Sequence, residues 1–252
     1  MTNNEALFNY TLRLGDTSLI LAQRLSEWTG HGPFLEEDLA LTNIALDILG
    51  RGKSLLEYAA KIEGKGRTAD DLAFFRNERE YYNALIVEQS NGDYAKTMIR
   101  QAFIDCFDLL FYTELMKSKD SVLAGIAAKS VKEITYHKRH SFSWIKRFGN
   151  GTEESAKRLQ QGFDEIWQFT GELFEMTEVD AVLVKENIAV DLSKLRPVWE
   201  NEVHALLSEA NLTIPDNVFM QKGSRQGMHT EYLGYILAEM QALPRMYPTA
   251  KW

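Results

Sequence analysis

The stretch SVLAGIAAKSVKEITYHKRHSFSWIKRF, residues 121–148, decides the fold. It contains no proline, and its apolar residues return at helical spacing, so it predicts one long helix. The run Gly149-Asn150-Gly151 stops it. Along one stripe lie Ser130, Ile134, His137, Ser141 and Trp144. His137 follows the carboxylate of Glu133 by four residues. Four-helix bundles that bind two metal ions place a carboxylate three residues before a histidine on two of their helices. Three residues before His137 stands Ile134. The stretch is either a metal helix with altered spacing or a relic of one.

The rest of the chain repeats the long-helix pattern. A first helix is expected from about Glu5 to Trp28, with Leu12, Leu19, Leu21, Ala22 and Leu25 on its apolar face. The turn Thr29-Gly30-His31-Gly32-Pro33 breaks it. A second runs from Leu35 to Glu63, opened by Glu36, Glu37 and Asp38 and ended by Gly64-Lys65-Gly66. Gly50 and Gly52 in its middle weaken it by about 1 kcal/mol each relative to alanine, which points to close packing there. Further helices are expected near 69–88, 94–117, 152–175, 192–210 and 229–243, with a looser segment up to Val190 and a loop at 213–227. Strand signals are almost absent. Long helices joined by short loops predict an all-α, up-and-down helical bundle of the ferritin-like kind, one domain over 1–252, with additional packed helices.

Composition narrows the function. The 252 residues are 45% hydrophobic and 25% charged, with a formal net charge of −8. An acidic chain is a poor nucleic-acid binder. The lone cysteine, Cys106, sits in an apolar helical run and reads as a small buried hydrophobe, in keeping with a reducing cytoplasm. Residues 1–9 lack the basic and apolar regions of a signal peptide. No apolar run approaches the ~18 residues of a membrane span.

Polar residues inside apolar stripes are the candidates for chemistry. Asp105 falls on the stripe Met98, Ala102, Asp105, Leu109, Tyr112. Asp47 runs with Ala40, Ile44, Arg51 and Leu55, and Asp16 lies between Leu12 and Leu19. Four long helices thus each direct one candidate ligand toward the core: Asp16, Asp47, Asp105 and His137. Plainer readings stand beside this one. Asp16 caps a break at Gly15, Asp47 pairs with Arg51, Asp105 or Asp108 faces solvent, and Glu133–His137 is a surface pair like Glu200–His204. A di-iron site also needs about four carboxylates and two histidines. No carboxylate-x-x-histidine occurs anywhere in the chain, and the third residue after Asp47 is Gly50. The residues therefore describe a ferritin-like bundle without a working di-metal centre, its degenerate ligand positions being Asp16, Asp47, Gly50, Asp105, Ile134 and His137. Side chains such as Arg51, Gln101, His137 or a lysine are expected to occupy that space. Tyr81, Tyr82 and Trp252 are candidate exposed interface anchors, with core or random surface placement as the commoner reading.

The stretches 10–33 (YTLRLGDTSLILAQRLSEWTGHGP), 36–60 (EEDLALTNIALDILGRGKSLLEYAA), 87–106 (VEQSNGDYAKTMIRQAFIDC), 127–152 (AAKSVKEITYHKRHSFSWIKRFGNGT) and 229–241 (HTEYLGYILAEMQ) carry a resemblance over nearly the whole chain. The sequence resembles the family of C subunits of bacterial phenylacetyl-CoA epoxidases, which belong to multicomponent ring-oxygenating complexes. The resemblance implies a ferritin-like fold and pairing with a homologous catalytic A subunit. In that family the A subunit carries the di-iron centre that activates O2 and epoxidises the ring of phenylacetyl-CoA. At the equivalent places this chain reads Asp47-Ile-Leu-Gly50 and Ile134-Thr-Tyr-His137, the first without the histidine and the second without the carboxylate. The resemblance thus implies a structural subunit in aerobic phenylacetate catabolism, with no cofactor of its own. Its implied partners are the A subunit, a flavin and iron–sulfur reductase and small accessory subunits, with homo-oligomers in isolation. The chain has no cysteine cluster for an iron–sulfur centre and no Gly-rich nucleotide fingerprint. An independently active di-metal oxygenase or ferroxidase is the alternative.

Overall fold

The computed structural model describes residues 2–250, and every regular element among them is helical. The α-helices are α1 (Asn3–Ser26), α2 (Leu35–Glu63), α3 (Ala69–Phe74), α4 (Leu85–Glu88), α5 (Tyr94–Leu115), α6 (Ser121–Gly149), α7 (Glu153–Trp167), α8 (Glu178–Lys185), α9 (Arg196–Glu209), α10 (Glu231–Met240) and α11 (Ala242–Met246). The all-α class stands, and the long hairpins α1–α2 and α5–α6 are those of a ferritin-like helical bundle. The chain forms two compact units, Met1–Ser90 with Gly223–Trp252, and Asn91–Lys222.

In the first unit, a capping box between Thr2 and Glu5 starts α1. The Asp38 carboxylate in the first turn of α2 accepts the Gly32 N–H at 2.9 Å and tightens the turn between the helices. Tyr10, Leu12, Leu19, Ile20, Leu21 and Leu25 of α1 are buried, as are Leu41, Ile44, Ile48, Leu55 and Leu56 of α2. Gly52 explains the closeness of the two helices. A Cβ there would lie 3.2 Å from the Leu19 nitrogen and the Ser18 Cβ.

In the second unit α5 is buried on almost all sides. The face of α6 that is buried comprises Leu123, Ala127, Ser130, Ile134, His137, Ser141 and Ile145. This is the stripe expected from sequence, with Ile145 as its last core residue and Trp144 half-buried beside it, edge-on to Tyr94 at 5.4 Å. Phe103 of α5, Phe163 and Trp167 of α7 and Trp199 of α9 pack ring to ring, and Trp199 Nε1 donates to the Phe103 carbonyl at 3.0 Å. Gly149 closes α6 against the end of α9, where a Cβ would fall 2.0 Å from the Ala210 carbonyl oxygen.

Several expected elements are corrected. The helix predicted over 69–88 is three pieces, α3, a 3-10 turn at Glu78–Glu80, and α4. The helix predicted to Glu175 ends at Trp167, and the segment read as loose contains α8. The last predicted helix divides into α10 and α11. Asp16 caps no break, because α1 runs straight through Gly15. Tyr81 is fully buried and Tyr82 half-buried, so neither is an exposed anchor; Trp252 lies outside the described residues. The break after Phe74 has a tertiary cause, since Arg76 turns inward to a partner on α1 and draws the chain out of helical geometry.

Filling the α1–α2 contact should be costly. Gly52→Leu is expected to lower stability by about 1–3 kcal/mol through overpacking, and Gly149→Ala to lower it more than Gly52→Ala does, because the added Cβ would meet backbone at 2.0 Å there against 3.2 Å at Gly52. Thermal unfolding followed by circular dichroism checks both.

Candidate functional site

Each unit holds two of the four core-directed polar residues. In the first, Asp16 is completely buried in the middle of α1. A bare carboxylate there would be very costly, and the structure surrounds it with donors. Arg76 forms a two-pronged ion pair with it, Nη1 donating to Oδ2 at 3.0 Å and Nη2 closing on Oδ1. The Tyr82 N–H donates to Oδ2 at 3.0 Å. Arg76 in turn donates from Nε to the Leu72 carbonyl at 2.5 Å and from Nη1 to the Glu80 carbonyl at 2.7 Å. Its guanidinium lies 4.1 Å from the Tyr81 ring. Burial alone would depress the Arg76 pKa, but the charge and hydrogen bonds of Asp16 prevail and hold it above the ordinary value. Burial pushes the Tyr81 phenol up to about 12. That hydroxyl donates to the Ala73 carbonyl and accepts from Gln241 Nε2 at 3.0 Å.

A second buried carboxylate in this unit, Glu88, was not singled out from sequence. Its oxygens accept from Asn83 Nδ2 at 3.0 Å and from the Thr230 N–H at 2.7 Å. His229 Nδ1 lies 3.0 Å from it, and His229 Nε2 lies 2.8 Å from the Tyr81 carbonyl. A carbonyl only accepts, so Nε2 is the donor to Tyr81. Arg24 clamps the Glu88 carbonyl from Nε and Nη2 at 3.1 and 2.9 Å. The available signal was a lone carboxylate closing the apolar run Leu85-Ile86-Val87. Arg76 offered no local signal at all, because its partner lies 60 positions away.

Asp47 and Gly50 are half-buried on α2, and Arg51 donates from Nε to Ser18 Oγ at 3.1 Å. In the second unit Asp105 is buried and bridges α5 to α6. Gln101 Nε2 donates to one of its oxygens at 2.7 Å and Ser141 Oγ to the other at 2.7 Å. Gln101, anticipated as a partner, takes that role. Asp108 is also buried. His137 and Ile134 are both buried on the same stripe of α6, His137 one turn before Ser141. Glu133 is half-buried and pairs with Lys129 at 3.6 Å, and Glu200 accepts from Arg196 at 2.8 Å. Cys106 is buried, and burial pushes its thiol up to about 12 despite the nearby Lys138 ammonium.

Do these residues suit a di-iron centre? The donor set is wrong. Such a centre draws on about four carboxylates and two histidines converging in a bundle core. Among the described residues no group of three or more His, Cys, Asp or Glu is arranged to hold a metal ion. The Asp16 oxygens face a guanidinium, and those of Asp105 face an amide and a hydroxyl. Two open clefts, of about 660 Å³ and 600 Å³, are lined by none of Asp16, Asp47, Asp105 and His137.

A chain of long helices with hydrogen-bonded carboxylates in its core has close kin. The family described as phenylacetic acid catabolic protein matches residues 1–252, and this chain belongs to it. Within that class a particular relative is similar over nearly its whole length. The C subunit of the 1,2-phenylacetyl-CoA epoxidase of Escherichia coli (strain K12) is 50% identical over 243 residues, which are 96% of this chain and 98% of that protein.

Breaking the Asp16–Arg76 pair from either side should leave an uncompensated buried charge. Asp16→Ala and Arg76→Ala are each expected to cost about 3–5 kcal/mol, read from the shift in urea midpoint. The thiol gives a pH test. Because the folded pKa of Cys106 is raised, its contribution is intact below the unfolded value of about 8.5 and is lost as pH climbs toward about 12. Stability is expected to fall across that window, and Cys106→Ala to flatten the decline.

Proposed function

We propose that this chain is a structural subunit of a phenylacetyl-CoA ring-epoxidising monooxygenase in aerobic phenylacetate catabolism. It pairs with, and supports, a homologous subunit that carries a di-iron centre. The observation that carries this reading is the state of Asp16. A core carboxylate on a long bundle helix, where a metal-binding relative would present a ligand, has both oxygens committed to Arg76 and a third hydrogen bond from Tyr82. Asp105 is committed in the same way to Gln101 and Ser141. Both serve as internal struts that keep the helices in place.

Family membership and the name of the E. coli relative, a subunit of an epoxidase, support a role in an assembly. The chain supplies rigidity and surface, while oxygen activation belongs to the partner, with electrons from a separate reductase component and small accessory subunits completing the complex. The complex works in the cytoplasm. No helix among the described residues is long and apolar enough to cross a membrane.

Turnover of phenylacetyl-CoA by the assembled complex tests the assignment. Omitting this chain should abolish turnover. His137→Gln should leave the rate within about twofold of wild type, since a histidine with a purely internal structural role contributes nothing specific to the transition state. A loss of 100-fold or more with assembly intact would assign chemistry to this chain.

A further inference from the structure

Helix α2 has two apolar faces. One, built from Leu41, Ile44, Ala45, Ile48, Leu55 and Leu56, is buried. The other is exposed. Leu35, Leu39, Leu46 and Leu49 are 70%, 53%, 60% and 42% exposed, and Phe34 just before the helix is 48% exposed. Scattered exposed leucines are normal on a protein surface. These are not scattered. With Thr42 and Lys53 they occupy positions 35, 39, 42, 46, 49 and 53. Alternating steps of four and three residues form the seam by which one helix packs along another. From Leu35 to Leu49 the seam is roughly 21 Å long at 1.5 Å per residue.

Its size fits a real interface. The five side chains leave on the order of 450 Å² of apolar surface uncovered. A standard interface covers about 800 Å² on each side, of which about 56–65% is apolar. The seam alone supplies that apolar share.

Its shape and charge restrict the occupant. A convex helix ridge offers no concavity for a small molecule. A helix lying on a lipid surface needs Lys and Arg beside its apolar face, whereas Glu36, Asp38 and Asp47 flank this one. Pairing with a second copy is disfavoured by the same acids. Antiparallel alignment that places Leu39 against Leu46 sets Asp38 against Asp47. Parallel alignment sets Asp47 against Asp47. Each copy also carries a net charge of −8, and like charges facing each other suppress association.

We propose that the Leu35–Leu39–Leu46–Leu49 seam of α2 is the docking face for an amphipathic helix of a different subunit, one whose apolar seam is flanked by lysine or arginine. This rests on the pairing proposed above and gives it a location on this chain.

The test co-expresses the full-length chain with the homologous di-iron subunit and measures affinity between the purified chains. The double variant Leu39→Glu/Leu46→Glu introduces charge on exposed side chains, so folding is expected to be unchanged by circular dichroism and melting. A control, Tyr235→Glu/Leu243→Glu, alters exposed apolar residues on α10 and α11. Support is a loss of affinity of about 100-fold or more in the seam variant, with the control binding as wild type. Wild-type affinity in the folded seam variant overturns the docking face and leaves the pairing intact. A wild-type chain that does not bind the di-iron subunit overturns the pairing itself, and this inference with it. A stable dimer of this chain alone that the seam variant dissolves overturns the choice of a different subunit as occupant.

Discussion

A carboxylate cannot be left alone in an apolar interior, and Asp16 makes that constraint the pivot of the first unit. Satisfying it takes a guanidinium, and Arg76 reaches α1 only by leaving helical geometry after Phe74. The Tyr82 N–H joins the same carboxylate, which keeps the chain extended past the 3-10 turn. Tyr81 is then drawn under the guanidinium, where Gln241 holds its hydroxyl and, at 3.0 Å, the Arg76 carbonyl. The shape of residues 69–88 follows from one buried charge on another helix. Such a pair adds little net stability over an apolar alternative, but removing one partner is expensive. It therefore resists piecemeal change and holds this region in one arrangement.

In the second unit Asp105 is a buried carboxylate. Asp105 is held by an amide from its own helix and a hydroxyl from α6, so one carboxylate ties two long helices together. His137 of α6 sits one turn from Ser141, on the same buried stripe as Ile134. Under the proposed function these helices keep the framework of a metal-binding bundle, and α2 presents a second apolar face outward.

Much of this was legible in the residues. The bounds of α2, Leu35–Glu63, could be read from an acidic first turn and a terminal Gly-Lys-Gly. The burial of Asp16, Asp105, His137 and Cys106 followed from helical spacing, and Gln101 lay one turn from Asp105. Gly52 could be read as a contact point because a mid-helix glycine needs a reason. The hidden part depended on distant residues. Nothing near Arg76 indicates a partner 60 positions earlier, and nothing near Glu88 indicates the return of His229 from the other end of the chain. Ser141 as a hydrogen-bond partner of Asp105 required knowing how α5 and α6 face each other. The exposed leucines of α2 escaped notice because periodicity alone cannot separate a buried face from a second, exposed one.

The claim that the core carboxylates are structural struts and not metal ligands is tested most directly by the iron content of this chain, purified by itself after expression in iron-replete medium. The account predicts less than about 0.1 iron per chain, and about two tightly bound irons per chain, the complement of a di-iron bundle, would contradict it.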